Sequence, residues 1–389
     1  MVSTKSEMIT KFEEILDKNF DKFKETSQNE TNLIKTYLIE NHLFKNDENK
    51  NDNISTFLND WILNLEKSPS KSEWNLKIRS TNDLNLIILD SKFGEIFIDI
   101  TDTRFWSINT AIKAKSSDMV FNELLREESM DNIWLPSSFI NSMNMFGSIY
   151  GIGVSYNEIL NDDENIVSSY LSNEDKLKLK IRKFNASKML KILQKSEFKE
   201  NIALDRISIL KTDSLKDDDF IVDDITYFGK FTAKGTSYSK HSQLVYEIFS
   251  NYRDKLQFLE DNIAFNFNLD EQQIKGQIIN IKFHRKDIIL SKLVDVLSSG
   301  NKVFKLWGIP KWSSEEYCSL KVVDLHVGNL GKSMQLDITP NNIRVIFPHG
   351  ACANTLARLL TNIHQNIDAT AELITGGNPY DYFILNESD

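Results

Sequence analysis

Apolar and polar residues recur with a period of two in some stretches of the chain and with helical spacing in others. The clearest run is 333–375. Met334, Leu336 and Ile338 alternate with polar residues, and so do Ile343, Val345 and Phe347, which places each set on one face of a strand. Between them, Thr339-Pro340-Asn341-Asn342 supplies turn chemistry. Pro348 cannot donate a ladder hydrogen bond, so the second strand should stop there. Leu356, Leu360, Ile363 and Ile367 then follow at spacings of four, three and four, one face of a helix, with Arg358, Asn362 and Gln365 on the other side. ATAELIT, closed by Gly376-Gly377, predicts a last strand. The order is β–β–α–β.

The stretch upstream carries the same theme. QIINIKF reads as a strand, and 287–299 as a helix with Ile289, Leu293, Val296 and Leu297 inward. VFKLWGI, ended by Pro310, and CSLKVVDLHV read as further strands. An equivalent order precedes it: the strand LKLKIRKF, a helix over 187–198, the strand ALDRISIL, strand segments DDFIVDD and ITYFGKFTA, and a long helix over 241–262. The pattern β–α–β–β–(β)–α therefore occurs at 177–262 and again at 278–367, without residue-level identity between the copies.

Three apolar stripes at the N-terminus predict helices: Met8 to Phe23, Leu33 to Ile39, and Phe57 to Leu65, with the polar run 46–53 as a loop. Three helices before strands would suit a winged-helix DNA binder. The third, ISTFLNDWILNLE, offers Asp60 and Glu66 and no base, whereas a recognition helix needs Arg or Lys donors. A helical cap or protein-contact module fits better. The glycines of GSIYGIGVSY (147–156) miss dinucleotide-binding spacing and predict a bulged strand or turn.

The expected fold class is α+β: an N-terminal helical module, then antiparallel sheets backed by helices, with tandem β-α-β(3-4)-α units in the C-terminal two-thirds. The expected divisions are a helical module at 1–68, an α+β domain at 73–160, sheet-helix units at 176–268 and 277–377, and a tail at 378–389.

Composition adds limits. The 389 residues are 41% hydrophobic and 26% charged, ordinary for a globular protein, and 14 Gly and 6 Pro leave little irregular chain. Two cysteines, Cys318 and Cys352, are too few for a disulfide scaffold and predict a reducing compartment. No N-terminal apolar signal core or membrane-length apolar run is present, so a cytoplasmic protein with no membrane partner is expected. A net charge of −10 disfavours nucleic-acid binding over the whole surface but leaves room for a local basic face.

Two segments offer one. In 176–195, Lys176, Lys178, Lys180, Arg182, Lys183, Lys188, Lys191 and Lys195 occur with no acid, and strand alternation would align several along a phosphate backbone. Edge lysines that deter strand pairing are the competing explanation. In 229–242, Lys230, Lys234, Lys240 and His241 accompany Thr236, Ser237 and Ser239 ahead of a helix, a setting for an anion; the GK[ST] ending of a nucleotide-hydrolysing loop is absent.

Other chemistry is sparser. Cys352 at a helix start, with His349 three residues before it, is the candidate reactive thiol, against the ordinary role of cysteine as a core filler. The aspartates of 213–224 do not form an EF-hand loop, Asp324 and His326 lack further ligands, and six histidines without HxxxH or CxxC spacing predict no metal site and name no cofactor. Trp307 and Trp312 are candidates for stacking a base or for core packing. The leading expectation is a binding or regulatory protein contacting nucleic acid or another polyanion. One alternative is an enzyme acting on a phosphorylated or acyl small molecule. The other is a structural protein-interaction module that oligomerises through its N-terminal helices.

Overall fold

A computed structural model describes residues 2–27, 33–42, 50–160, 176–183, 185–213, 218–268, 272–326, 332–375 and 381–385. Residues 46–49 of the expected loop 46–53, Asp217 of the acidic run, the Lys176 side chain, Gly376-Gly377 and most of the 378–389 tail lie outside the described residues, and the rest of that loop, Lys50 to Asn53, is instead the first turn of a helix.

The chain begins with α1 (Lys5–Thr26), β1 (Ile34–Asn41), α2 (Lys50–Glu66), β2 (Lys77–Arg79), β3 (Leu86–Ser91), β4 (Gly94–Asp99), β5 (Phe105–Thr110), α3 (Ala114–Leu124) and β6 (Met130–Asn132). It continues with β7 (Ser148–Asn157), β8 (Lys176–Arg182), α4 (Ala186–Leu193), β9 (Ala203–Thr212), β10 (Phe220–Thr226), β11 (Lys230–Gly235) and α5 (Tyr238–Phe258). It ends with β12 (Asn266–Asn268), β13 (Gln273–Lys275), β14 (Ile279–Lys282), α6 (Leu290–Ser298), β15 (Leu306–Ser314), β16 (Tyr317–Asp324), β17 (Ser333–Thr339), β18 (Asn342–Ile346), α7 (Asn354–Asn366) and β19 (Glu372–Thr375). Helices and antiparallel strands make this an α+β chain. Its internal contacts divide it into one unit of 1–133, 209–225 and 229–247, and a second of 134–208, 226–228 and 248–389.

The first unit is a sheet ordered β2-β3-β4-β5-β1-β11-β10, with β6 also pairing β1. Met8, Phe12 and Leu16 of α1 pack with Ile34, Leu86, Ile88 and Phe97 in one core cluster. Leu58, Trp61 and Leu65 of α2, with Val120 and Phe121 of α3, pack with Tyr37, Ile39, Ile87, Leu89, Ile96 and Ile98 in another. Adjacent residues of each strand divide between the clusters, so the sheet is covered on both faces. The apolar stripes of α1 and α2, expected to serve oligomerisation, therefore face their own sheet.

That double cover corrects the sequence reading at Ile34–Asn41. It is a strand, not a helix, and every residue of it is buried. A strand covered on both faces loses its alternation and leaves a dense apolar run that mimics a helical stripe. Without a second helix there, the winged-helix order is also lost.

The second unit contains the β7–β8 pair and a six-stranded antiparallel sheet, β15-β16-β17-β18-β14-β19. Met334, Leu336, Ile338, Ile343 and Val345 are all buried, as their alternation predicts. The helix α7 differs from expectation in one respect: its polar side is buried too. Hydrogen bonding makes that tolerable. Arg358 meets Asp324, Asn362 donates to the Val303 carbonyl at 2.9 Å, and Gln365 donates to the Leu204 carbonyl at 2.9 Å. Pro310 does not end its strand; it sits within β15, an edge strand, where a missing N–H need leave no ladder bond unmade.

Candidate functional site

The strand β8 ends its sheet path, beyond β7. Its register sets Lys178 opposite Ser155, Lys180 opposite Gly153 and Arg182 opposite Gly151. Alternation puts these three cations on one face and Leu177, Leu179 and Ile181 on the other, beside the buried Tyr156, Val154 and Ile152 of β7. Lys178, Lys180, Arg182 and the following Lys183 are exposed. On the cationic face β7 contributes no side chain at either glycine. A Cβ at Gly153 would collide with the Asp205 carboxylate, and one at Gly151 would come within 2.8 Å of Ser208 Oγ. Burial raises the Asp205 pKa, and Arg206, Lys178 and Lys180 partly oppose that rise. The strip thus sets three cations, Lys178, Lys180 and Arg206, near one partly buried carboxylate.

Lys183 turns the chain with a φ of 69° and donates its N–H to the Tyr150 carbonyl at 2.6 Å. In α4, Ala186 and Leu190 are buried while Lys188 and Lys191 are exposed, as is Lys195 beyond it. Spacings of three and four align these lysines on the outward side of the helix.

The 229–242 segment has a different arrangement. Lys230 pairs with Asp118 and lies 5.3 Å from the Tyr37 ring centroid. Lys234 stands over Phe23 at 5.6 Å. Lys240 bridges Asp213 at 2.7 Å and Asp219 at 3.0 Å, and these hydrogen bonds raise its pKa. Ser237 Oγ accepts the Lys240 N–H at 3.4 Å. The first N–H groups of α5 are engaged as well: Tyr238 and Ser239 donate to the Glu13 carboxylate at 2.7 and 2.9 Å. The anion expected at this helix start is supplied by α1.

His241 is buried. Its Nδ1 lies 2.7 Å from Asp223 Oδ1 and its Nε2 lies 2.7 Å from Thr36 Oγ1. The Thr36 hydroxyl donates to Asn109 Oδ1 at 2.6 Å. Hydroxyl, imidazole and carboxylate in series resemble an acyl-transfer relay. Here Thr36 is 1% exposed, and its proton is held by Asn109. The set is a buried polar network that fixes β1, β10 and α5 to one another.

The aspartates of 213–224 act as counter-charges, with Asp213 and Asp219 on Lys240, Asp218 on Lys24 at 2.8 Å and Asp223 on His241. At the start of α7, Cys352 is buried and His349 is exposed, and the Ala353 N–H donates to Glu260 at 2.8 Å. A carboxylate of the chain again occupies a helix start. Asp324 accepts the His326 backbone N–H at 3.0 Å and bonds the side chains of Thr355 and Arg358. Trp307 and Trp312 are exposed on β15 and do not pack in the core.

Sequence reasoning missed the carboxylates of Glu13 and Glu260, which arrive from distant elements. It also missed Ser138, His284, His364 and Asp381, which line one cavity. Neither group has a local spacing that a motif could capture. The described helices include none long and apolar enough to cross a membrane.

The comparisons with known proteins extend over most of the chain. The protein MJECL33 of Methanocaldococcus jannaschii, described as uncharacterized, is 30% identical over 312 residues, covering 71% of this chain and 75% of the relative. Residues 1–382 match the family described as MJECL33-like protein, and the chain belongs to that family.

Proposed function

We propose that the chain binds a nucleic-acid backbone along the cationic face of β8. The observation that carries this reading is the exposed row Lys178, Lys180 and Arg182, aligned on one face across from two glycines. Alternate residues of a strand stand about 6.6–6.8 Å apart, close to two rises of about 3.4 Å along one strand of a duplex. The Asp205 and Ser208 side chains cover Gly153 and Gly151, so a phosphate would approach the ammonium and guanidinium groups from the exposed side of the row. Lys183, Lys188, Lys191 and Lys195 extend the positive field beyond the strand.

Three neutralised phosphates predict a slope of about −2.7 for log affinity against log salt on duplex DNA. The test is fluorescence anisotropy of labelled duplex DNA and single-stranded RNA at increasing salt, with wild type and the variant Lys178→Glu, Lys180→Glu, Arg182→Glu. Binding at low salt that weakens with this slope and falls at least tenfold in the variant supports the reading. No binding of either probe at low salt, or equal binding by the variant, overturns it.

A further inference from the structure

The six-stranded sheet of the second unit is covered on one face only. Its inward residues, such as Leu320, Leu336 and Val345, are buried, and α6 packs against β15, β16 and β17. Every residue that alternates to the other side of β14 to β19 is at least partly exposed. That open face has an apolar edge. Trp307 is 51% exposed and Ile309 72%, and their spacing of two on β15 sets them on the same side. Two large apolar side chains left adjacent in water form a patch, and a patch marks an interaction site where a lone exposed residue does not. Trp312, five residues on, falls on the opposite side of the strand, paired with the buried Cys318.

The charge of the face selects its occupant. The chain as a whole carries −10, yet this face presents Lys282, Lys311, Lys321 and Arg344 against Asp337 and Glu372. None of the four cations forms an ion pair among the described residues. Asp337 accepts from Ser319 at 3.1 Å and from Gln335 at 3.2 Å, and Glu372 stands 3.4 Å from His284. Lys321 lies directly opposite Ile309, and Val323 directly opposite Trp307, so the apolar patch and a cation adjoin. An excess of cations repels a second copy of the same face and attracts a polyanion. Strand addition at the β15 edge is disfavoured as well. The Gly300 N–H donates to the Leu306 carbonyl at 2.8 Å on the free side of β15, so alternate residues turn that way, and Pro310 brings no donor to the edge.

We propose that this open face binds a single-stranded nucleic acid, with one base stacked on Trp307 beside Ile309 and the adjoining phosphates on Lys311 and Lys321. Stacking on a side chain needs an unpaired base, because a duplex covers both faces of its base pairs with their neighbours. The proposal extends nucleic-acid binding to a second surface and does not rest on the β8 row. A duplex probe reports on that row, and a short unpaired oligomer reports on Trp307.

The experiment is a titration of the full chain at low salt with oligo-dT and oligo-U of about six nucleotides, read by tryptophan emission and by anisotropy of the labelled oligomer. Both oligomers should quench the emission, and the tighter of the two identifies DNA or RNA as the preferred strand. Trp307→Ala should abolish the quenching and weaken binding about fivefold or more, the loss expected for one stacked base. Trp312→Ala, on the other side of the strand, should keep both the quenching and the affinity. Lys311→Glu with Lys321→Glu should weaken binding at least tenfold, and the β8 triple reversal should leave the quenching in place. Thermal melting confirms that each variant is folded, and if Trp307→Ala is not, the lysine reversal and Trp312→Ala still decide. No quenching of wild type, or quenching and affinity retained in a folded Trp307→Ala, would overturn the proposal. Self-association that Trp307→Ala abolishes, without quenching by either oligomer, would overturn it in favour of a contact between copies. Duplex binding without oligomer quenching would overturn this proposal and leave the β8 reading standing; quenching without duplex binding would do the reverse.

Discussion

Lys178, Lys180 and Arg182 stand along an exposed strand, while Lys230, Lys240 and His241 each face a carboxylate of their own unit. The two segments have similar basic character in the sequence. They differ in what surrounds them. The 229–242 segment comprises β11 and the start of α5, where Asp118, Asp213, Asp219, Asp223 and Glu13 converge on its lysines, on His241 and on the helix start. In the 176–182 strand the cations stand exposed, and the partly buried Asp205 carboxylate lies close enough to feel Lys178 and Lys180. Local charge density marks both segments; the 229–242 side chains are engaged within their own unit, whereas the β8 row stands exposed.

The sharpest way to break this comparison is at His241. Asp223→Ala would leave a buried imidazole nitrogen without its carboxylate, and leaving a buried polar group unsatisfied costs about 1–3 kcal/mol. Urea denaturation should show a loss of that order while nucleic-acid affinity per folded molecule stays unchanged. A stability change under 1 kcal/mol would mean that the network contributes little.

Asp381 represents the opposite case, a buried carboxyl without a counter-charge. Burial raises its pKa from the ordinary 3.8 to about 6. The folded chain then keeps a proton that the unfolded chain has released, so this group's stabilisation is full below about pH 4 and is lost as pH rises through 6. His364 works the other way, its pKa falling from 6.5 to about 4, so its contribution is present above pH 6.5 and is lost as pH falls through 4. Each shift corresponds to about 3 kcal/mol, and the two slopes oppose one another. Asp381→Asn should therefore stabilise the protein at pH 7 by up to about 3 kcal/mol and uncover a rise in stability from pH 4 to 6.5. Denaturation midpoints across that range check both signs; an unchanged pH profile would contradict the assignment.

A smaller effect is expected at Glu13, whose carboxylate caps α5. Glu13→Gln should cost about 0.5–2 kcal/mol, the range for losing a cap. Inorganic phosphate should return part of that loss by occupying the vacated helix start, measurable as a phosphate-dependent melting shift in the variant and not in wild type. Smallest of all is the stability effect of the β8 triple reversal, within about 0.5 kcal/mol because the three residues are exposed. A larger loss would show that the row is structural.

How much of this was legible in the sequence depended on whether an element is covered on one face or two. The alternation in 333–347 is that of half-covered strands, and its faces were assigned correctly, whereas in LKLKIRKF the strand was found but Leu177 and Leu179 are exposed as well as the lysines. Ile34–Asn41 is covered on both, and its buried Lys35, Thr36 and Glu40 look like solvent positions when only the pattern is available. The polar side of α7 misled in the same way: Arg358 and Asn362 read as outward because their partners, Asp324 and the Val303 carbonyl, are far away in the chain. The cationic row was visible because its chemistry is carried by consecutive alternate residues. The relation between Asp381 and Ser138 was not, because it joins positions 243 residues apart with no shared motif.

The contrast between the two basic segments rests on one claim, that the β8 row is the binding face. The most direct measurement is the salt dependence of duplex DNA binding by wild type, by the β8 triple reversal, and by Lys230→Gln with Lys240→Gln. The expected result is a wild-type slope of about −2.7, retained in the Lys230 and Lys240 variant and lost with most of the affinity in the triple reversal. Equal loss in both variants, or a slope unchanged by reversing Lys178, Lys180 and Arg182, would contradict it.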